Sequence, residues 1–327
     1  MDRINIAMIL KIEIGSKDIS LTGIHDALIP LGNNPCLPEI IAKTFSYDTI
    51  TIEVVDNKGY TIRISACLFG KKIVLLPHFS YGPIIPPDIV SEIIEGVKAQ
   101  GYHCEWRLTN QVSEFCVTSK VTTFIRLARD AQSQFAVFDS NLRRKIRKCS
   151  SNGITIKKGG HELLEDFYLV YSRRMHQLGS PVLPQRWFNN LLQEYSGGEA
   201  SIWCAYQDKV PMGTAFVLEY QGFYEACWFA TLRQYNKFYI SYGLIWEMLR
   251  HAITQSGKTF SLGRSTLGSS VHRYKQQWGG EDAALYWNHS HHPGKSLRSF
   301  SFVSQLWKLV PYSLTLKLGP WLAGKVY

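Results

Sequence analysis

The seven cysteines of this chain are scattered and form no C-x-x-C pair, which excludes a zinc ribbon or a disulfide framework and suits a reducing compartment. Nor is there an uninterrupted apolar run of about 18 residues, the length that spans a bilayer. The amino terminus, MDRINIAMILKIEIGSKD, has a short apolar patch broken by charges and no small-residue cleavage site, so no signal peptide is expected. A soluble or peripheral protein remains. No short-period repeat is visible. Acid is missing from one long stretch: Ala283 to Tyr327 holds neither Asp nor Glu.

What is present is an ordinary folding composition, 45% hydrophobic and 19% charged over 327 residues, a length that divides naturally into two modest domains. Lys and Arg number 36 against 26 Asp and Glu, a formal net charge of +10. That balance favours anionic partners: phosphates, nucleic acid or an acidic membrane surface.

Alternation in TITIEVVD (Thr49 to Asp56) and YTIRISACLF (Tyr60 to Phe69), with Asn57 to Gly59 between them, predicts a hairpin. KIVLLP (Lys72 to Pro77) reads as a buried strand, and DIVSEIIEGVKAQG as a helix with Asp88 near its start and Gly101 after its end. DSNLRRKIRKCSSN (Asp139 to Asn152) predicts a helix capped by Asp139 or Ser140 and stopped by Gly153. A domain boundary is expected here, dividing the chain into 1–138, 139–290 and a basic amphipathic helical tail, 291–327. After it come strand 154–158, helices 162–178 and 184–195, and strands 200–206, 210–220 and 222–231. Helix 241–255, strand 259–263, a short helix near His272 to Trp278, and strand 283–288 complete the second half.

The string from Ser241 to Trp287 contains a helix, a strand ending in Gly263-Arg264-Ser265 and a Gly/Ser-rich turn at Gly268. His272, Tyr274 and Lys275 follow, then Trp278-Gly279 and an edge strand ending in Leu285-Tyr286. NLRRKIRKCSSNGITI and FYLVYSRRMHQLGSPVLPQRWFNNLL extend the pattern upstream. Together these resemble the FemAB-related branch of the GNAT-like acyltransferase superfamily, over roughly Asp139 to Asn288. Earlier sequence matches loosely, chiefly at Tyr81-Gly82. The resemblance implies an α/β (α+β) GNAT-like fold, two tandem GNAT-like domains with mixed central sheets.

It also implies a cytoplasmic transferase, at the inner face of the cytoplasmic membrane, that moves an acyl or aminoacyl group onto an amine. The donor would be acyl-CoA or aminoacyl-tRNA, and the acceptor a lipid-linked or glycan precursor of peptidoglycan or exopolysaccharide. No metal is called for. RQYNKFYISYG (Arg233 to Gly243) lacks the glycine pair whose amides cradle the CoA pyrophosphate in many GNAT enzymes.

Amine attack on an ester or thioester creates a tetrahedral oxyanion, and a phosphate-bearing donor needs cations. Lys275 suits the oxyanion or a phosphate as a point charge. Arg264, beside Ser265 just past a strand end, offers a planar fork. His272 lies three residues before Lys275 on the same helical face, as a base or as a packing residue. Glu225 stands where GNAT enzymes often hold a carboxylate base, or is an outward residue of an amphipathic strand. Tyr274, Trp278 and Tyr81 are substrate-binding candidates. Arg143, Arg144, Arg147 and Lys148 form cationic stripes fit for tRNA or pyrophosphate, or a solvated face.

The tail sets Lys295, Arg298, Lys308, Lys317 and Lys325 among Phe300, Phe302, Trp307, Trp321 and leucines. It suits a lipid interface or a helix packed on the protein's own core. His289, His291 and His292 lack a Cys or carboxylate frame for a metal. A non-catalytic protein of this fold, holding an anionic glycan precursor or tRNA, is the alternative to an enzyme.

Overall fold

A computed structural model describes residues 7–13, 31–55, 61–292 and 301–325. The turn expected at Asn57 to Gly59 and the tail residues Lys295, Arg298 and Phe300 lie outside the described residues. In chain order the elements are β1 (Ala7–Glu13), α1 (Leu37–Phe45), β2 (Asp48–Val55), β3 (Thr61–Phe69), β4 (Lys72–Val74), α2 (Pro87–Ala99), β5 (His103–Leu108) and β6 (Phe115–Arg126). There follow α3 (Ala131–Ala136), α4 (Ser140–Ser151), β7 (Thr155–Gly159), α5 (Leu164–Leu178), α6 (Gln185–Glu194), β8 (Gly198–Gln207), β9 (Val210–Tyr220) and β10 (Phe223–Thr231). Last come α7 (Ile240–Thr254), β11 (Thr259–Thr266), α8 (Ser270–Gln276), β12 (Glu281–His289), α9 (Ser301–Leu309) and α10 (Tyr312–Ala323). Strands and helices mingle in the mixed α/β architecture expected.

Two compact units emerge, and neither is a single run of chain. Unit one comprises Met1–Thr122, Arg264–Ser269 and Asp282–Gly294; unit two comprises Thr123–Gly263, Ser270–Glu281 and Lys295–Tyr327. A linear division at residue 139 therefore does not follow the contacts. The reason lies in β12, whose residues Tyr286 to His289 pair antiparallel with Leu108 to Glu105 of β5, so the last strand of the expected second domain belongs to unit one.

In unit one, β1 and β2 pair in parallel, β2, β3 and β4 form antiparallel pairs, and β4 pairs in parallel with β5. The apolar face of α2 (Ile89, Val90, Ile93, Ile94, Val97) covers a core that includes Ile50, Ile52, Ile73 and Trp106.

In unit two, β7 to β10 form antiparallel neighbours, and β10 pairs in parallel with β11. Both faces of this sheet are covered. Phe216 of β9 turns toward α5 and α6, its ring 5.6 Å from Phe167 and 5.5 Å from Phe188. Its neighbours Ala215 and Val217 point the other way, into a core built with α4 and α7. Asp139 caps α4, accepting the Leu142 amide at 2.6 Å, and Gly179 closes α5 in the left-handed conformation at φ +73°.

The approach of α4 to α7 depends on a missing side chain. A Cβ on Gly243 would collide with Cys149 Sγ and stand 3.1 Å from Cys149 Cβ. Gly243→Ala is expected to lower unfolding free energy by about 1–3 kcal/mol through overpacking, read by urea titration. Unchanged stability would show that the two helices can separate without cost.

Candidate active site

The parallel ladder between β10 and β11 is short. It joins Phe223, Tyr224 and Glu225 to Thr259, Phe260 and Ser261, and β10 bulges immediately afterwards, between Ala226 and Trp228. Beyond Ser261, the Gly263 amide donates to Ser261 Oγ at 3.1 Å. Gly263 sits at φ +74°, and a Cβ there would stand 3.3 Å from the Ala226 carbonyl oxygen and 4.0 Å from Glu225 Oε1. Crevices at the carboxyl ends of diverging parallel strands are where open α/β sheets take ligands.

Two ionisable side chains converge on this point. Lys275 of α8 is buried and donates from Nζ to the Gly263 carbonyl at 2.6 Å. Glu225 is 3% exposed, which settles the choice left by the sequence: it is interior, not an outward residue. His272 is buried as well, at 4% exposure.

Past the end of β10, the residues before α7 form a 3-10 turn (Arg233–Phe238). Tyr239 follows as the residue before α7, left-handed at φ 59°, and gives the helix no side-chain cap. A cavity of about 330 Å3 opens here, lined by Thr231, Asn236, Tyr239, Ile240, Ser241, Tyr242 and Tyr274. Helix amino termini favour anions. Charge comes from α4: Lys145 Nζ lies 3.2 Å from Tyr242 Oη, 3.1 Å from Gln277 Oε1 and 4.9 Å from the Tyr242 ring centre. Lys148 Nζ lies 5.7 Å from the Tyr239 ring. Burial pushes the Tyr274 phenol above its usual range, so it keeps its proton at physiological pH.

The other expected residues fall out differently. Arg143 donates to the Ala136 carbonyl at 3.0 Å and Arg144 to Asn141 at 2.8 Å, while Arg147 lies over Phe135 at 5.4 Å. These three fix α4 and its surroundings, and Lys145 and Lys148 of the same basic run are the residues turned to the tyrosines of the cavity. The two lysines are i, i+3, as are Tyr239 and Tyr242. Trp278 is 1% exposed within the core, 5.5 Å from Phe138, so it packs the site without presenting a face to substrate.

Arg264, Ser265 and Tyr81 belong to unit one. There the Arg264 and Arg107 guanidinium groups lie 5.5 and 4.6 Å from the Trp287 ring centre, and Ser265 and Tyr81 are buried. In the histidine tract, His291 packs edge-on to His103 at 4.3 Å and the His292 ring lies 6.2 Å from Phe115. Among the described residues no three His, Cys, Asp or Glu side chains gather as metal ligands, and no helix is long and apolar enough to cross a membrane.

Residues 137–276 match the acetyltransferase (GNAT) domain family. The fold is similar to that of FemX, with a TM-score of 0.57 and 10% identity over 83% of this chain and 92% of that one. It is similar also to the C-terminal domain of a putative lysylphosphatidylglycerol synthetase from Agrobacterium fabrum (TM-score 0.54, 10% identity, 82% and 89% covered). L-PGS from Bacillus licheniformis gives 0.52, at 11% identity over 86% and 99%. Among curated proteins none matches this chain.

Lys275→Met would leave the buried Gly263 carbonyl without its donor. A loss of about 1–3 kcal/mol is expected in urea unfolding, and wild-type stability would mean that the contact holds nothing in place.

Proposed function

We propose, from the match of residues 137–276 to the acetyltransferase (GNAT) domain family, that this chain moves an acyl or aminoacyl group onto an amine of a cell-envelope precursor. The precursor is a lipid-linked peptidoglycan or exopolysaccharide intermediate, met at the inner face of the cytoplasmic membrane. FemX and the lysylphosphatidylglycerol synthetases, similar in fold, lend their names to this reading. The observation that carries it is the cavity at the uncapped start of α7, with Lys145 and Lys148 held against its tyrosines.

In this reading the donor phosphate occupies the α7 amino terminus, drawn by the helix dipole and the two lysines. Its carbonyl lies at the end of the β10–β11 ladder. The acceptor nitrogen attacks, the new N–C bond forms, and the oxyanion that develops is stabilised by the Lys275 ammonium. Glu225 accepts the proton released by nitrogen. Collapse expels the donor thiolate or alkoxide, which takes up the proton that Glu225 received and so returns Glu225 to its carboxylate.

The donor is acyl-CoA or aminoacyl-tRNA. Arg233 to Gly243 lacks the glycine pair that many CoA-binding turns carry, and its tyrosines and Asn236 fill the cavity wall instead. That favours the tRNA-borne group.

Incubation with labelled acetyl-CoA and with charged tRNA in parallel, a membrane extract supplying the acceptor, is expected to move one label to the extract. Lys275→Met should lower kcat/KM about 100-fold or more, and full turnover in both Lys275→Met and Glu225→Gln would remove these residues from the chemistry. The double variant Lys145→Gln/Lys148→Gln is expected to raise the donor KM about tenfold with kcat little changed. An unchanged donor KM would place the phosphate elsewhere.

A further inference from the structure

Helix α10 is packed the wrong way round for a helix that serves only its own core. Its buried positions are Thr315, Gly319 and Ala323, small side chains four residues apart. Gly319 is pressed so close to the loop after α5 that a Cβ there would meet Val182 Cγ1 at 2.8 Å and its amide nitrogen at 3.0 Å. The opposite stripe carries the large apolar groups: Leu314, Leu318 and Trp321 are 44%, 42% and 59% exposed. On α9, Leu306 and Leu309 are 48% and 80% exposed. Amphipathic helices of soluble proteins put this pattern the other way.

What ties the pair of helices to α5 is largely polar. Ser172 Oγ and Tyr312 Oη share a hydrogen bond of 2.8 Å, and His176 Nε2 meets the Val310 carbonyl at 2.9 Å. The backbones then approach closely, since a Cβ on Gly179 would run into the Ser304 carbonyl. The docking is thus specific, and it leaves Leu314, Leu318 and Trp321 outward.

Charge shows what covers them. Lys317 falls on the same stripe as Leu314, Leu318 and Trp321, at spacings of three and four residues, and Lys325 follows just past the end of the helix. Lys325 Nζ stands 4.0 Å from the centre of the Trp321 ring. No acid occurs from Ala283 onward. Outward leucine, a tryptophan at one end and lysines beside them make up the surface of a helix lying in the headgroup boundary of an anionic bilayer.

We propose that the outer stripe of α10, with Leu306 and Leu309 of α9, seats unit two on an anionic lipid surface. This surface stands on the packing of α9 and α10 alone and does not need the transfer reaction to be right. A second copy of the chain is the competing occupant, and the acid-free stripe sets lysine against lysine in a two-fold pairing.

The full chain is sedimented with vesicles of phosphatidylcholine containing about 30% phosphatidylglycerol, and with phosphatidylcholine vesicles alone. Wild type is expected to pellet with the anionic vesicles. Leu318→Glu/Trp321→Glu should weaken that binding by about tenfold or more while thermal melting is unchanged, since both positions are exposed. Lys317→Gln and Lys325→Gln should each weaken it about fivefold on anionic vesicles and leave the neutral ones unaffected. Absence of wild-type pelleting, or pelleting that survives both sets of substitutions, overturns the proposal. So does a wild-type dimer in sedimentation equilibrium that the Leu318→Glu/Trp321→Glu variant dissolves without any vesicle binding. Transfer to a soluble amine by these variants reports separately on the catalytic reading.

Discussion

The end of the β10–β11 ladder is the constraint on which the rest of unit two turns. A parallel pair that stops after Glu225 and Ser261 leaves the next backbone groups of β11 to find partners elsewhere, because buried amides and carbonyls are costly to leave alone. Gly263 solves both halves at once: its amide turns to Ser261 Oγ, and its carbonyl accepts from Lys275. The second bond brings an ammonium into the interior and fixes α8 against the strand. A side chain at Gly263 would need a left-handed backbone at φ +74°, 3.3 Å from the Ala226 carbonyl. The glycine-dependent turn and the buried lysine are therefore one feature, and Glu225 belongs to it by register.

Helix boundaries in unit two were readable to within a few residues, because local signals set them. Asp139 before an apolar-periodic run, Gly179 after one, and the apolar runs of β8 and β9 each act over a single turn or a few residues of strand. What could not be read is pairing at a distance. Nothing near Tyr286 to His289 says that these residues bond to Leu108 to Glu105, yet that choice assigns β12 to unit one. The same limit hid β5 and β6, whose apolar runs are short and shaped by partners remote in sequence.

The site was legible in its residue types and less so in their directions. Lys275 was singled out by its motif, and the contact with Gly263 gave it a partner. Glu225 lies in FYEACWFAT, a strand apolar on both faces, as sheets covered on both sides require. A carboxylate inside such a run is the kind of exception that marks chemistry, and that reading needed only the covering helices to be known. The basic helix shows the opposite failure. Arg143, Arg144 and Arg147 dominated the charge run, but the angle at which α4 meets α7, fixed by Gly243 against Cys149, turns Lys145 and Lys148 toward the tyrosines.

The surplus of positive charge then divides by environment. Lys145 lies against an aromatic ring and within hydrogen-bond reach of Tyr242 and Gln277, half-buried, so its field acts at contact range and is weakly screened. Lys317 on the outer stripe and Lys325 just past the helix end are exposed, where a field reaches about one Debye length, roughly 8 Å at physiological ionic strength. Salt is therefore a discriminating variable. On the two proposals made above, attraction of the tail to an anionic surface would fade steeply as ionic strength rises, whereas affinity for a phosphate seated at the start of α7 would fade less. A chain whose positive charge served one nucleic-acid partner would show a single steep dependence for both.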